Sequence, residues 1–583
     1  MSSGLDPRSI LPCPHRVIVL FCNMLWSAWT VAYVTIALSL SSGSYAGRIV
    51  AVGPKSDIIL YNRIANPDGF KRPAALMKPN ENSKAMRKKP KHTSVVGPTV
   101  VGYKGTNFRL NIMNQLSDPT MLLSTSIHWH GFVQKGTSWA DGAAFVTQCP
   151  IPKDESFLYD FHVPDQAGTF WYHSHLSTQY CDGIRGAFVV YDRHDPHKKL
   201  YDVDNPRTVI TLGDWYHVPA TQMTTKVPTP DTTLINGRGR YNDGPVVPLA
   251  KIRVVHGKRY RFRLINIGCD PNYVFSIDNH ELLVIEADAV NIEPYKVDSI
   301  QIFAGQRYSF VLHANQPIDN YRIRANPNLG TTGFEGGLNS AILRYHGAPR
   351  RDPTTTSKTT KALKETEMVP LEFPGAPGIP EVGKADVNIN LNFNFTAKPE
   401  FAFTINGETF LHPNAPVLLQ IMSGAKKAGE LLPKGTLYPL PANKVIEISF
   451  PGFPVGGPHP MHLHGHTFDV VRSAGSSTYN YKNPIRRDVV SGGMAGDNVT
   501  IRFITDNPGP WFLHCHIDWH LEIGLAVVFA EATDCLEYAN PPRAWDQLCP
   551  KYERMSKEQL GGMPTAKPAL PGAQQTQAAA GHH

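Results

Sequence analysis

Along many short stretches of the chain, hydrophobic and polar residues alternate with a period of two. Arg259-Tyr-Arg-Phe-Arg-Leu264 interleaves cations with apolar side chains, and Tyr308, Phe310 and Leu312 repeat the step. That period belongs to strands, because apolar positions on a helix recur every three to four residues. Both stretches are therefore expected as half-buried strands. The 47 glycines and 49 prolines favour many turns and short strands over long helices. An all-β chain follows.

The pattern also repeats at long range. Gly168-Thr-Phe-Trp-Tyr-His173-Ser-His175 returns as Gly509-Pro-Trp-Phe-Leu-His514-Cys-His516, and each copy continues through a glycine into an apolar run, Gly186–Tyr191 and Gly524–Phe529. Upstream in each half stands another histidine pair, Ile127-His128-Trp-His130-Gly131 and Met461-His462-Leu-His464-Gly465. The first and last thirds thus read as duplicated β-domains, with the middle third as a spacer of the same class. The expected divisions are 47–195, 196–365 and 366–560. Arg351–Lys364, rich in Pro, Thr and Lys, reads as a linker, and 561–583 as a low-complexity tail without fixed structure.

Composition narrows the class. A length of 583 residues allows three or four domains, and 42% hydrophobic with 18% charged residues excludes a wholly disordered or multi-span membrane chain. The net charge of +8 suggests a polyanion partner until it is located: Lys71–His92 holds eight basic residues against Glu81 alone. Such a run without interleaved aromatics reads as a solvated loop, so no nucleic-acid partner is expected. Val17–Leu40 carries no charge and follows Arg8 and Arg16. This reads as a signal peptide cleaved after Ala46, in preference to a membrane anchor. Sequons at Asn394 and Asn498 fit export. A secreted protein without a stable membrane partner is expected.

The 24 histidines would give about one His-x-His pair by chance, yet there are five, at 128/130, 173/175, 462/464, 464/466 and 514/516. In a strand, residues i and i+2 face the same side, so each pair presents two imidazoles together, and imidazole suits copper, zinc, iron and nickel. One pair alone would read as surface histidines; four within duplicated motifs read as metal ligands. His466 follows Gly465, falls outside the duplicated pattern and is excluded. Cys515 alternates to the face opposite His514 and His516 and can hold a different metal. A thiolate with two histidines is the blue-copper arrangement, and His459 and His520 are its natural partners here. Leu525, ten residues on, stands where a weak methionine ligand could otherwise sit. Leucine cannot coordinate, so a comparatively high copper potential is expected.

These residues resemble the multicopper oxidases, and most closely the secreted fungal laccases of basidiomycetes. The resemblance runs from Asn66-Pro-Asp-Gly-Phe70 to Leu548-Cys-Pro550. It includes Ser126-Ile-His-Trp-His-Gly131, Trp171-Tyr-His-Ser-His-Leu-Ser-Thr-Gln-Tyr-Cys181, His459-Pro-Met-His-Leu-His-Gly-His466 and His514-Cys-His-Ile-Asp-Trp-His520. It implies three cupredoxin-like β-sandwich domains and four coppers. His459, Cys515 and His520 would hold the type 1 copper, and His128 and His462 the type 2. His130, His173, His175, His464, His514 and His516 would hold the type 3 pair. Phenols and aromatic amines would be oxidised one electron at a time and dioxygen reduced to water, by a monomer.

The same resemblance makes Asp270 the carboxylate that takes the phenol proton, and Asp141 one that handles protons near the cluster. Asn328, Leu329 and His520 would line the phenol pocket beside Asp270, with Leu329 where relatives often carry an aromatic residue. It also implies disulfides Cys149–Cys549 and Cys181–Cys269. Cys13 and Cys22 fall in the signal segment, leaving Cys535 as a candidate free thiol. The chain departs from the family at about 78–93, a basic stretch before Val96-Gly-Pro98 that is either an added loop or retained intron sequence. Rival readings are a ferroxidase-type oxidase and a catalytically silent copper protein.

Overall fold

The computed structural model describes residues 50–80, 94–223, 227–356, 358–397, 401–425, 428–431, 435–453, 455–538 and 540–562. The expected signal segment, most of the basic stretch and the tail beyond Gly562 lie outside these residues. Short strands dominate, and among the described residues they assemble into three successive pairs of sheets and one separate hairpin, Phe393–Thr396 with Ala402–Ile405. The first pair holds a four-stranded sheet with Lys55–Ala65 and Thr106–Gln115 at its centre and a five-stranded sheet carrying Ile127–His130, Gly168–Ser174 and Arg185–Tyr191. The middle pair has six and five strands. In the third pair, a five-stranded sheet carries Pro460–Leu463, Gly509–Cys515 and Ala526–Glu531.

The sequence repeat is a structural repeat. Gly168–Ser174 and Arg185–Tyr191 pair antiparallel, as do Gly509–Cys515 and Ala526–Glu531. In each domain the other histidine strand lies against this hairpin, with His128 opposite His173 and His462 opposite His514. Cross-strand partners share a face and lie close together, so two pairs on separate stretches of chain become one four-histidine patch per domain.

The middle strands Arg259–Asn266 and Arg307–His313 were expected to be half-buried, yet nearly every residue in them is buried. The reason is pairing. Arg261 bonds Asp195 and Glu286, and Arg263 bonds Asp204 and Glu286. Glu286 also accepts the backbone N–H of Thr169 in the first domain at 2.8 Å. The apparent solvent face is an ionic joint between domains, with each buried charge matched.

Lys78 and Pro79, at the start of the expected basic stretch, end the strand Arg72–Pro79, which pairs along its length with Lys55–Ala65. Two further expectations are corrected. Gly561 forms a bridge with Leu122 and the N–H of Gly562 bonds Met121, so the structured chain runs two residues past the expected start of the tail. The linker Arg351–Lys364 is pinned to the middle domain, where Asp278 accepts Thr355 and Asp298 accepts the N–H groups of Thr360 and Lys361.

Candidate metal centres

The histidines of the two patches meet between the first and third domains. His128, His130, His173, His462, His464, His514 and His516 are nine-tenths or more buried, and His175 is 7% exposed. Most have one ring nitrogen committed as a donor. His128 Nδ1–H donates to the Asp141 carbonyl at 2.8 Å, and His462 Nδ1–H to that of Asp488 at 2.8 Å. His173 and His514 donate to the carbonyls of Ser174 and Cys515, and His464 donates to Asp141 Oδ2 at 2.9 Å.

The remaining nitrogens face one another. His462 Nε2 lies 3.5 Å from His128 Nε2, His464 Nε2 lies 3.1 Å from His514 Nε2, and His516 Nε2 lies 3.2 Å from His130 Nδ1. In the first two pairs all four rings already donate through their opposite nitrogens, so these are lone pairs directed at lone pairs. His173 Nε2 and His175 Nε2 are buried with no partner at all. Buried acceptors without donors are unfavourable unless a cation joins them. Burial, reinforced by mutual repulsion, pushes the pKa of His130, His173, His175, His462 and His464 well below the usual histidine value, and that of His516 to about 3. Neutral imidazoles are the form that binds metals.

A second set lies on the other side of the same strand. Cys515 Sγ is 3.5 Å from His459 Nδ1 and 3.8 Å from His520 Nδ1, and all three residues are buried. His459 donates Nε2–H to the Val455 carbonyl at 3.0 Å, leaving Nδ1 toward the sulfur. Burial lowers the His459 pKa to about 4 and raises that of the Cys515 thiol. Leu525 is fully buried beside them, its carbonyl accepting the N–H of Cys515 and its own N–H donating to His520. Both sets have the donors and burial that suit copper; the histidines are already neutral, and a copper bound at the second set would displace the Cys515 proton. Of the described cysteines, Cys515 alone is free. Cys535 was a candidate free thiol but is disulfide-bonded. Cys149 is bonded to Cys549, and Cys181 to Cys269.

Asp270 follows that second bridge. It is buried, its Oδ2 has no partner, and its N–H donates to Asp214 at 3.2 Å. Burial, and then the Asp214 charge, raise its pKa to about 8. The carbonyl of Cys269 accepts the N–H of Asp518, tying this loop to the helix Asp518–Glu522 that carries His520. Asn328 Oδ1 accepts the N–H of Asn272, and Leu329 follows half-buried. His466 stands apart, paired with Glu531 at 2.6 Å.

Sequence reasoning missed several neighbours. Phe403 lies with its ring 4.9 Å from His520, and Phe453 stacks on His459 at 3.9 Å. Asp488 accepts from His130 Nε2 at 3.2 Å. No short-range spacing marks any of them. Gly142 is a further positioning element: at φ +85, a Cβ there would lie 1.8 Å from the Ile127 carbonyl oxygen. Gly142→Ala is expected to lower stability by about 3 kcal/mol or more, read as a fall in Tm accompanied by loss of bound metal.

Comparison with known proteins agrees with this geometry. Three family models described as multicopper oxidase match residues 91–195, 207–348 and 410–534. The chain belongs to the multicopper oxidase family. Its similarity to fungal laccases extends over nearly its whole length. It is 64% identical to Laccase-2 of Pleurotus ostreatus, over 93% of this chain and 99% of that one. Against Laccase-2 of Trametes versicolor it is 57% identical, over 90% and 98%. Among solved structures, the laccase from Botrytis aclada matches with a TM-score of 0.72 at 28% identity, over 88% of this chain and 94% of that one. Fet3p, a multicopper oxidase that functions in iron import, matches with a TM-score of 0.73 at 25% identity, over 86% and 95%.

Proposed function

We propose that this laccase works through four coppers held by the residues above. His459, Cys515 and His520 hold the type 1 copper. His128 and His462 hold type 2, and His130, His173, His175, His464, His514 and His516 hold the type 3 pair. The observation that carries this reading is the set of opposed imidazole nitrogens with no proton between them. When bound, copper supplies one-electron acceptance at the cysteine site and four-electron reduction of dioxygen to water at the histidine cluster.

The residues do the rest. Cys515 is covalently flanked by His514 and His516, so the site that accepts electrons and the cluster that consumes them are joined by one stretch of backbone. Asp270, with a free carboxylate oxygen and a pKa near that of a weak base, holds the phenol hydroxyl and takes its proton as the electron leaves. Asn328 and Leu329 line the same pocket with His520. Asp141 orients His464 through its carboxylate and His128 through its carbonyl, which leaves it beside the cluster as a proton-handling group. Substrates are phenols and aromatic amines, with dioxygen as the second substrate. Leu525 offers no soft sulfur beside His459, Cys515 and His520, so Leu525→Met is expected to lower the potential of a copper held there, read in a redox titration. An unchanged or raised potential would contradict this role.

The wider assignments follow the same reading. The protein is secreted as a monomer, carries glycans at Asn394 and Asn498, and divides at 47–195, 196–365 and 366–560. Its biological role lies in lignin breakdown, phenol detoxification or pigment formation. Copper analysis of the purified, copper-loaded protein tests the site assignment: four per chain is expected, and fewer than four would count against it.

A further inference from the structure

The middle domain supplies none of the candidate ligands, yet one of its turns presses against the cluster. Between the strands Ser299–Ile302 and Arg307–His313, Gly305 adopts φ +86. A Cβ at Gly305 would lie 2.9 Å from a ring carbon of His516 and 3.1 Å from one of His130. Next to it, Gln306 Nε2 donates to the Val489 carbonyl at 3.0 Å. Arg307 is fully buried at the point where the three domains meet. Its Nε donates to the Thr169 carbonyl of the first domain at 3.0 Å, and its two terminal nitrogens grip both oxygens of Asp488 in the third, Nη2 to Oδ2 at 2.7 Å. Its own N–H donates to Asp288 at 2.8 Å.

Asp488 is what makes this grip matter. Its Oδ1 accepts His130 Nε2–H, and its carbonyl accepts His462 Nδ1–H. His130 is oriented differently from its neighbours. His128, His173, His462 and His514 each donate Nδ1–H to a backbone carbonyl and leave Nε2 free, whereas His130 donates Nε2–H and turns Nδ1 toward His516. In those four rings a main-chain carbonyl fixes the tautomer. The reversed ring depends on a side chain from another domain, and that side chain is held by a two-pronged guanidinium, a geometry lysine cannot reproduce.

We propose that Arg307 is a positioning residue of the metal cluster: through Asp488 it holds the His130 ring with Nδ1 turned toward His516, so the middle domain governs how firmly the cluster keeps its copper. This rests on the assignment of His130 and His462 as ligands. Partners behind metal-binding histidines commonly change metal affinity by about 10- to 100-fold when altered, and a change of that size is expected here.

The test compares wild type, Arg307→Lys, Asp488→Asn and the double variant, each dialysed against graded chelator. Copper per chain and the EPR signals of the type 1 and type 2 sites are the readouts. Wild type holding fewer than four coppers would count against the ligand assignment itself, separately from Arg307. With four in wild type, Arg307→Lys is expected to lose cluster copper at about 10-fold lower chelator or less. Its type 1 signal and potential should stay as in wild type, and its type 2 EPR parameters should shift. The double variant should be no worse than Asp488→Asn, since both act along one route. Arg307→Lys with wild-type copper retention and EPR but a lower Tm would reduce Arg307 to a structural ion pair, and independent, multiplying losses would also overturn the proposal. Should Arg307→Lys fail to fold, Asp488→Asn alone decides, because unchanged cluster affinity there removes the route.

Discussion

Cys515→Ser is expected to lower the copper content from four to three per chain, abolish the blue colour, and reduce phenol-driven oxygen uptake by on the order of 10³-fold or more, as when a group that acts as part of a unit is removed. Cys515 brings a buried sulfur within 3.5 Å of His459 Nδ1 and 3.8 Å of His520 Nδ1, while its neighbours in the chain reach the cluster. Serine keeps the backbone and the hydrogen bonds from His514, so the cluster should still fill. It offers a harder oxygen in place of the soft thiolate, however, and the cysteine site should stay empty. Copper analysis, visible absorption and oxygen uptake on one preparation check all three effects. Retained blue absorption would contradict the assignment of Cys515.

Asp270→Asn is expected to slow oxidation of a phenol by about 10²- to 10⁴-fold, the range for loss of a positioned general base, and to leave a non-phenolic donor nearly unaffected. The sign of the pH effect follows from the environment of this carboxyl. Burial and the Asp214 charge raise its pKa to about 8, so it is protonated in acid and ionises as pH climbs toward that value. Only the ionised form can take the proton. The advantage of wild type over the variant on phenols should therefore be small near pH 4 and widen toward pH 8. Equal slowing of both donors, or a gap constant across pH, would remove Asp270 from the proton-accepting role.

The histidines were legible in the sequence because two local rules act on them. Strand alternation puts i and i+2 on one face, and duplication repeats the pattern in both outer domains, so four pairs could be read as two patches facing one centre. Cys515 was legible by the same alternation. Arg307 and Asp488 were not, because they are 181 residues apart and meet only after three domains close on each other. The burial of Arg261 and Arg263 escaped notice for a similar reason: their alternation looks solvent-facing until Glu286, Asp195 and Asp204 arrive from elsewhere. Phe403, tilted against the His520 ring, comes from a hairpin with no tie in sequence spacing to the histidine motifs. Periodicity reports which face a residue occupies within its own sheet, and says nothing about what another domain brings to that face.

Oxygen uptake by the secreted, copper-loaded protein, supplied in parallel with a methoxyphenol and with iron(II), tests the central claim most directly. The account predicts rapid uptake with the phenol, at four phenols oxidised per dioxygen consumed and no hydrogen peroxide released. Uptake with iron(II) alone would assign the protein to metal-ion oxidation, and no uptake with either donor would contradict an active copper oxidase.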